Sequence, residues 1–205
     1  FIDFILQNRF SFRAHIFEIT RKILFIFRFF DVLNRLFPGN LIHKQLKLYQ
    51  IKGLEEEKLE FYAQKYFQDI LVPSIIKNIS NELKEKKRDG FRIIILSGGY
   101  TIYLKYFADY FGINVNDIIA TDIKIDKNKI CSGKIKGLDC TRDNKIIKLS
   151  NNIENIYDYN LLESYAYSDC RTDLPLLQFV GNGIVVHSKK QNWVDEYNLE
   201  QILWE

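Results

Sequence analysis

The feature that most constrains this chain is a change of hydrophobic period at Asp89-Gly90. Before it, apolar residues recur at helical spacing. After it comes Arg92–Leu96, a short isoleucine run near glycine, which reads as a strand buried on both faces. That run passes through Ser97-Gly98-Gly99 into a helix over Thr101–Phe111, ended by Gly112. Ile118–Ile125 and Lys129–Ile135 read as a hairpin or two short strands around Asp126–Asn128. Lys145–Asn151 begins another helix, Leu162–Tyr167 is a strand running into Ser168-Asp169, Leu174–Phe179 is a helix and Gly183–His187 a further strand. Trp193–Trp204 carries mixed signals. Strands alternating with helices predict an α/β fold, a doubly wound Rossmann-like parallel sheet with ligands at the carboxyl ends of its strands.

The first seventy or so residues read as helices. In Ile16–Phe37 the aromatics Phe17, Phe25, Phe27, Phe29, Phe30 and Phe37 are too dense for one face, so such a helix is sandwiched or touches lipid. Pro38-Gly39-Asn40 stops it. Leu54–Ile70 is an amphipathic helix, and Pro73 opens another through Lys87. The longest unbroken apolar run in the aromatic stretch, Ile23–Phe27, is far short of the roughly 20 residues that span a bilayer.

Composition narrows the class. A 47% apolar and 27% charged chain of 205 residues is globular, with room for one core or a core plus a small accessory domain. The net charge of +3 is too small to argue for nucleic acid, and none is expected as a partner. Residues 1–50 hold eight Lys/Arg against three acids, a local +5, which leaves −2 for the remainder. Cys131, Cys140 and Cys170 show no CxxC spacing, so neither a disulfide framework nor a zinc site is expected and a reducing cytoplasm fits.

Three strand-end elements fall where this architecture puts a binding site. Ser97-Gly98-Gly99 offers a hydroxyl and backbone N–H groups that can cradle a phosphate; a tight turn is the plainer reading. Lys145, in the first turn of a helix at Asp143-Asn144-Lys145, can neutralise charge on a transferring phosphoryl group; alone, it is a surface lysine. Asp169 and Asp173, four apart in Ser168-Asp169-Cys170-Arg171-Thr172-Asp173-Leu174-Pro175, form a hard-oxygen site suited to Mg²⁺. Alternatively Asp169 ends the strand and Asp173 caps the helix at Leu174.

Together, strand–hhhhSGG, a helix-start lysine and strand–SDxxxDLPLL resemble the second, third and fourth motifs of the haloacid dehalogenase superfamily, nearest its phosphoserine-phosphatase-like branch. Ser132-Gly133-Lys134-Ile135-Lys136-Gly137, then Cys140 and Lys145, looks like that branch's approach to its lysine. The resemblance covers 73–205 by motif, and 1–72 as a helical cap of fitting length. It implies a Mg²⁺-dependent phosphatase in which Ser97 and Gly98 hold the phosphoryl oxygens and Lys145 gathers the negative charges. Lys148 is a poorer substitute one turn along. Asp169 binds Mg²⁺ directly and Asp173 supports it.

The resemblance also implies a DxDx(T/V) motif whose first aspartate is the nucleophile, and the chain carries none. Asp3, followed by Phe4-Ile5, does not serve. With no methionine and a start at Phe1-Ile2-Asp3, truncation of the first strand is the expected reason, and the chain as it stands is expected to be inactive. The expected substrate is a small phosphomonoester such as phosphoserine, or an anionic phospholipid such as phosphatidylglycerophosphate. The lipid would be met by peripheral membrane contact through Lys22–Phe37. A non-catalytic phosphate- or protein-binding module stays open, whereas a nucleotide-binding Rossmann domain is disfavoured because no GxGxxG or GxxxxGK follows a strand.

Overall fold

The computed structural model describes residues 1–9 and 42–204. The aromatic stretch Ile16–Phe37 and the lipid-facing surface expected over Lys22–Phe37 lie outside them. Helices α1 (Ile2–Arg9), α2 (Ile42–Tyr49) and α3 (Glu56–Tyr66) come first, followed by a π-helical turn (Phe67–Leu71) and α4 (Lys77–Arg88). Then follow β1 (Ile95–Tyr100), α5 (Thr101–Tyr110), β2 (Ile118–Ile125), β3 (Cys131–Lys136) and α6 (Asn144–Asn152). The chain continues through β4 (Tyr165–Ser168), α7 (Leu174–Leu177), β5 (Asn182–His187), α8 (Asn192–Glu196) and β6 (Glu200–Leu203). No helix among the described residues is long and apolar enough to cross a membrane.

Among the described residues the strands form two three-stranded sheets, β1-β2-β3 and β4-β5-β6. β1 pairs parallel with β2, and β2 antiparallel with β3. β4, β5 and β6 pair in parallel throughout. The architecture is the expected α/β one, but the first sheet is mixed rather than wholly parallel; among the described residues β1 and β4 each lie at the edge of a sheet.

The strand expected at Arg92–Leu96 does not stop before Ser97. β1 runs on to Tyr100 and bulges on the way: Leu96 faces Ile119 and Tyr100 faces Thr121, four steps on one strand against two on its partner. Glycine permits the bulge because neighbours crowd the backbone. A Cβ on Gly98 would lie 2.9 Å from Thr141 Cγ2, and one on Gly99 only 2.2 Å from the Tyr103 hydroxyl. The mixed C-terminal segment resolves into α8 and β6.

Burial is shared between halves. Ile5, Leu6, Leu48, Leu54 and Leu59 from the helical N-terminal part pack with Tyr100, Cys131 and Ile135 from the first sheet. Gly53 and Glu56 N–H groups donate to Cys131 and Lys129 carbonyls of the hairpin. A second cluster, with Cys140, Leu149, Ala166, Leu177 and Val185, joins α6 to the second sheet. Helix α6 therefore bridges β1–β2 on one side and α7 on the other.

Candidate functional site

Burying a polar group without a partner costs free energy, so buried polar side chains cluster where a fold needs them. Among the described residues, those buried polar or charged are Thr121, Asp139, Lys145, Ser168 and Asp173. All five lie in two networks beside the carboxyl ends of β1 and β4.

The network past β4 contains residues expected from sequence. Lys145 Nζ, from the first turn of α6, donates to Asp173 Oδ2 at 2.5 Å, and Ser168 Oγ donates to the same oxygen at 2.6 Å. Cys170 N–H donates to Ser168 Oγ at 3.3 Å. The helix-capping reading of Asp173 fails, because its carboxylate makes no cap hydrogen bond to α7 and turns instead to the lysine. Asp169, next to Ser168, is exposed at the strand tip. Lys148 points elsewhere: its Nζ donates to the Ala120 and Leu138 carbonyls and lies 3.5 Å from Asp122. One helical turn separates a lysine aimed past β4 from one held on β2.

The network past β1 was missed at the level of sequence. Lys44 Nζ donates to the Gly98 carbonyl, to Thr121 Oγ1 at 2.7 Å and to the Asp139 carboxylate. Thr121 Oγ1 in turn donates to Asp139 at 2.8 Å and accepts from Cys140 N–H at 3.1 Å. Ser97 Oγ accepts from Gly99 N–H at 3.0 Å. Burial holds the Lys44 amine below its ordinary pKa, against the opposing pull of Asp139. Burial also pushes the Cys140 thiol up to about 11. One signal was available: apolar Leu48 and Ile51 stand four and seven residues on, the spacing that puts Lys44 on the same face of α2 as Leu48. Thr121 and Asp139 carry no comparable mark.

The two networks meet at the loop before α6. Thr141 abuts Gly98, and three residues later Asn144 N–H donates to the Thr141 carbonyl as α6 begins. Ser97-Gly98 thus stands on one side of this loop and Lys145 on the helix it opens; no hydrogen bond joins Ser97 to Lys145 directly among the described residues. For a cation, the local donors are the exposed Asp169 carboxylate and Asp173. No group of three or more His, Cys, Asp or Glu side chains gathers among the described residues. One or two carboxylates completed by phosphate oxygens and water is the set Mg²⁺ takes, so the residues fit that ion.

Residues 12–178 match the family model of haloacid dehalogenase-like hydrolases. Three solved structures share the fold. A protein of unknown function from Bordetella pertussis Tohama I superposes with a TM-score of 0.76 at 17% identity, over 98% of this chain and 88% of that one. A substrate-bound phosphoserine phosphatase complex gives 0.53 at 19% identity, over 78% and 70%. An unliganded probable phosphoserine phosphatase from Vibrio cholerae gives 0.57 at 16%, over 78% of this chain and 46% of that one. The chain belongs to the haloacid dehalogenase-like hydrolase family.

Proposed function

We propose that this family member hydrolyses small phosphomonoesters, with Mg²⁺, in the crevice between the carboxyl ends of β1 and β4. The observation that carries the reading is the buried Lys145–Asp173–Ser168 network, whose lysine opens the helix that follows the loop abutting Gly98. A lysine held this way presents positive charge beside a rim of backbone N–H groups, which suits a phosphoryl group gaining negative charge. Ser97 Oγ and the Gly98 N–H would take two phosphoryl oxygens. Lys145 would share its protons between Asp173 and the phosphate. Asp169 would hold Mg²⁺, with Asp173 supporting it, and the ion would neutralise phosphate charge when bound.

The chemistry needs a carboxylate nucleophile that this sequence lacks as a DxD motif. The carboxylate oxygen would attack phosphorus as the ester oxygen leaves with a proton, and water would then cleave the acyl phosphate to restore the carboxylate. Residues 1–72 would act as the helical cap over residues 73–205. A small substrate such as phosphoserine fits this reading, because the neighbours named for a substrate are phosphoserine phosphatases.

Fusing a family-like strand that ends in DxDGT ahead of Phe1 should create Mg²⁺-dependent hydrolysis of p-nitrophenyl phosphate. Lys145→Ala or Asp169→Ala should abolish it, and an unchanged rate in both variants defeats the assignment. Phosphate binding without any hydrolysis in the fusion would instead favour a non-catalytic phosphate-binding module.

A further inference from the structure

We propose that Lys44 is a positioning residue for the phosphate cradle, fixing the bulged tip of β1 and the loop that launches Lys145. The inference rests on the reading of Ser97-Gly98 as that cradle and names a residue the motifs do not contain. The three acceptors around the Lys44 ammonium come from three separate places: the Gly98 carbonyl in the β1 bulge, Thr121 in β2 and Asp139 beyond β3. An ammonium has three N–H donors, so the amine is fully used by the protein and does not reach for substrate itself.

Its effect on the site would be indirect and has two routes. A peptide plane held by its carbonyl has its next N–H aimed too, so gripping Gly98 O fixes the direction of the Gly99 N–H, which donates to Ser97 Oγ and so sets that hydroxyl of the cradle. Without that grip, a bulge rich in glycine keeps more backbone freedom than any other sequence would. The second route runs through Asp139. Its bond to Thr121, and the Cys140 N–H bond to the same hydroxyl, hold the chain just before Thr141, which abuts Gly98 and whose carbonyl accepts from Asn144 N–H as α6 begins. Lys44 also stands 5.1 Å from the Tyr100 ring centroid, over the last residue of the bulged strand. Because Lys44 belongs to α2, the position of that helix is coupled to the rim of the crevice.

The test compares the chain with Lys44→Met, Lys44→Arg and the double variant Lys44→Met/Asp139→Asn, which removes both charges together should the single change fail to fold. Two quantities are read: affinity for inorganic phosphate with Mg²⁺ by calorimetry, and amide hydrogen exchange. Lys44→Met and the double variant should weaken phosphate binding about tenfold, as expected when a hydrogen bond to a charged group is lost. They should also speed exchange over Ser97–Tyr100 and Asn144–Ile146. Lys44→Arg should recover most of both. Val194→Ala, a core change within α8, should lower stability without moving either. Wild-type phosphate affinity and exchange in a folded Lys44→Met or double variant would overturn the proposal. If Lys145→Ala leaves phosphate affinity unchanged, the cradle reading itself falls, and the exchange data still judge whether Lys44 grips the strand.

Discussion

The two half-sheets solve one problem in opposite ways. Each carries a buried lysine–aspartate pair beside the carboxyl end of an edge strand: Lys44–Asp139 past β1 and Lys145–Asp173 past β4. In the first, the lysine is as exposed as its counterpart but the carboxylate is wholly buried, and the lysine ties an outlying helix to backbone and hydroxyl oxygens of the strands. In the second, both side chains keep about a tenth of their surface exposed, and an open carboxylate, Asp169, stands alongside. Removing charges from water is costly unless partners replace the solvent fully. The difference lies in the carboxylates: Asp139 can be met only by the protein, whereas Asp173 keeps a face to solvent.

If that contrast is right, breaking the Lys44–Asp139 pair should do the most damage. Asp139→Ala leaves Lys44 buried opposite nothing charged and should cost about 3–5 kcal/mol of unfolding free energy in urea titration. Asp173→Ala should cost less, because the Asp173 carboxylate keeps about a tenth of its surface in water while Asp139 keeps none. Equal losses would erase the distinction between the two halves.

Cys140 sharpens the comparison from the side of pH. Its thiol, wholly buried between the networks, is held up to about 11 from an ordinary 9.0 by burial. Between those values the unfolded chain has released a proton that the folded chain keeps, so stability falls as pH rises from 9 to 11. The loss approaches about 3 kcal/mol at the upper end. Cys140→Ala should reduce that slope in urea midpoints measured across the range, the remainder coming from Cys131 and the buried tyrosines whose protons burial also holds. In the native protein at neutral pH, only the exposed Cys170 should react with a thiol reagent, since Cys131 and Cys140 are buried.

The smallest effect should come from an ion pair that belongs to neither network. Arg171 and Glu196 meet at 3.2 Å with more than half of each side chain exposed. Arg171→Ala should therefore shift stability by less than about 1 kcal/mol, although it sits two residues from Asp169.

What was legible in the sequence follows the same division. The second half was readable because its chemistry is local. Ser168, Asp169 and Asp173 fall within six residues, and Lys145 marks itself by opening a helix. The alternation of short apolar strands with helices likewise betrayed the α/β order, since period change is visible residue by residue. The first half was not readable in the same way. Lys44, Gly98, Thr121 and Asp139 are brought together across up to 95 positions of chain, and each residue alone resembles ordinary helix, strand or loop. The bulge at Ser97-Gly98-Gly99 was mistaken for a strand end because glycine signals both, and only the crowding by Thr141 and Tyr103 distinguishes them.

The central claim is that the tips of the two edge strands and the start of α6 face one anion. Amide chemical shifts of the ¹⁵N-labelled chain, titrated with inorganic phosphate and Mg²⁺, test it most directly. The account predicts that Ser97–Gly99, Asn144–Lys145 and Ser168–Cys170 shift together along one binding curve. Shifts confined to one of these segments, or gathered on another face of the molecule, would contradict it.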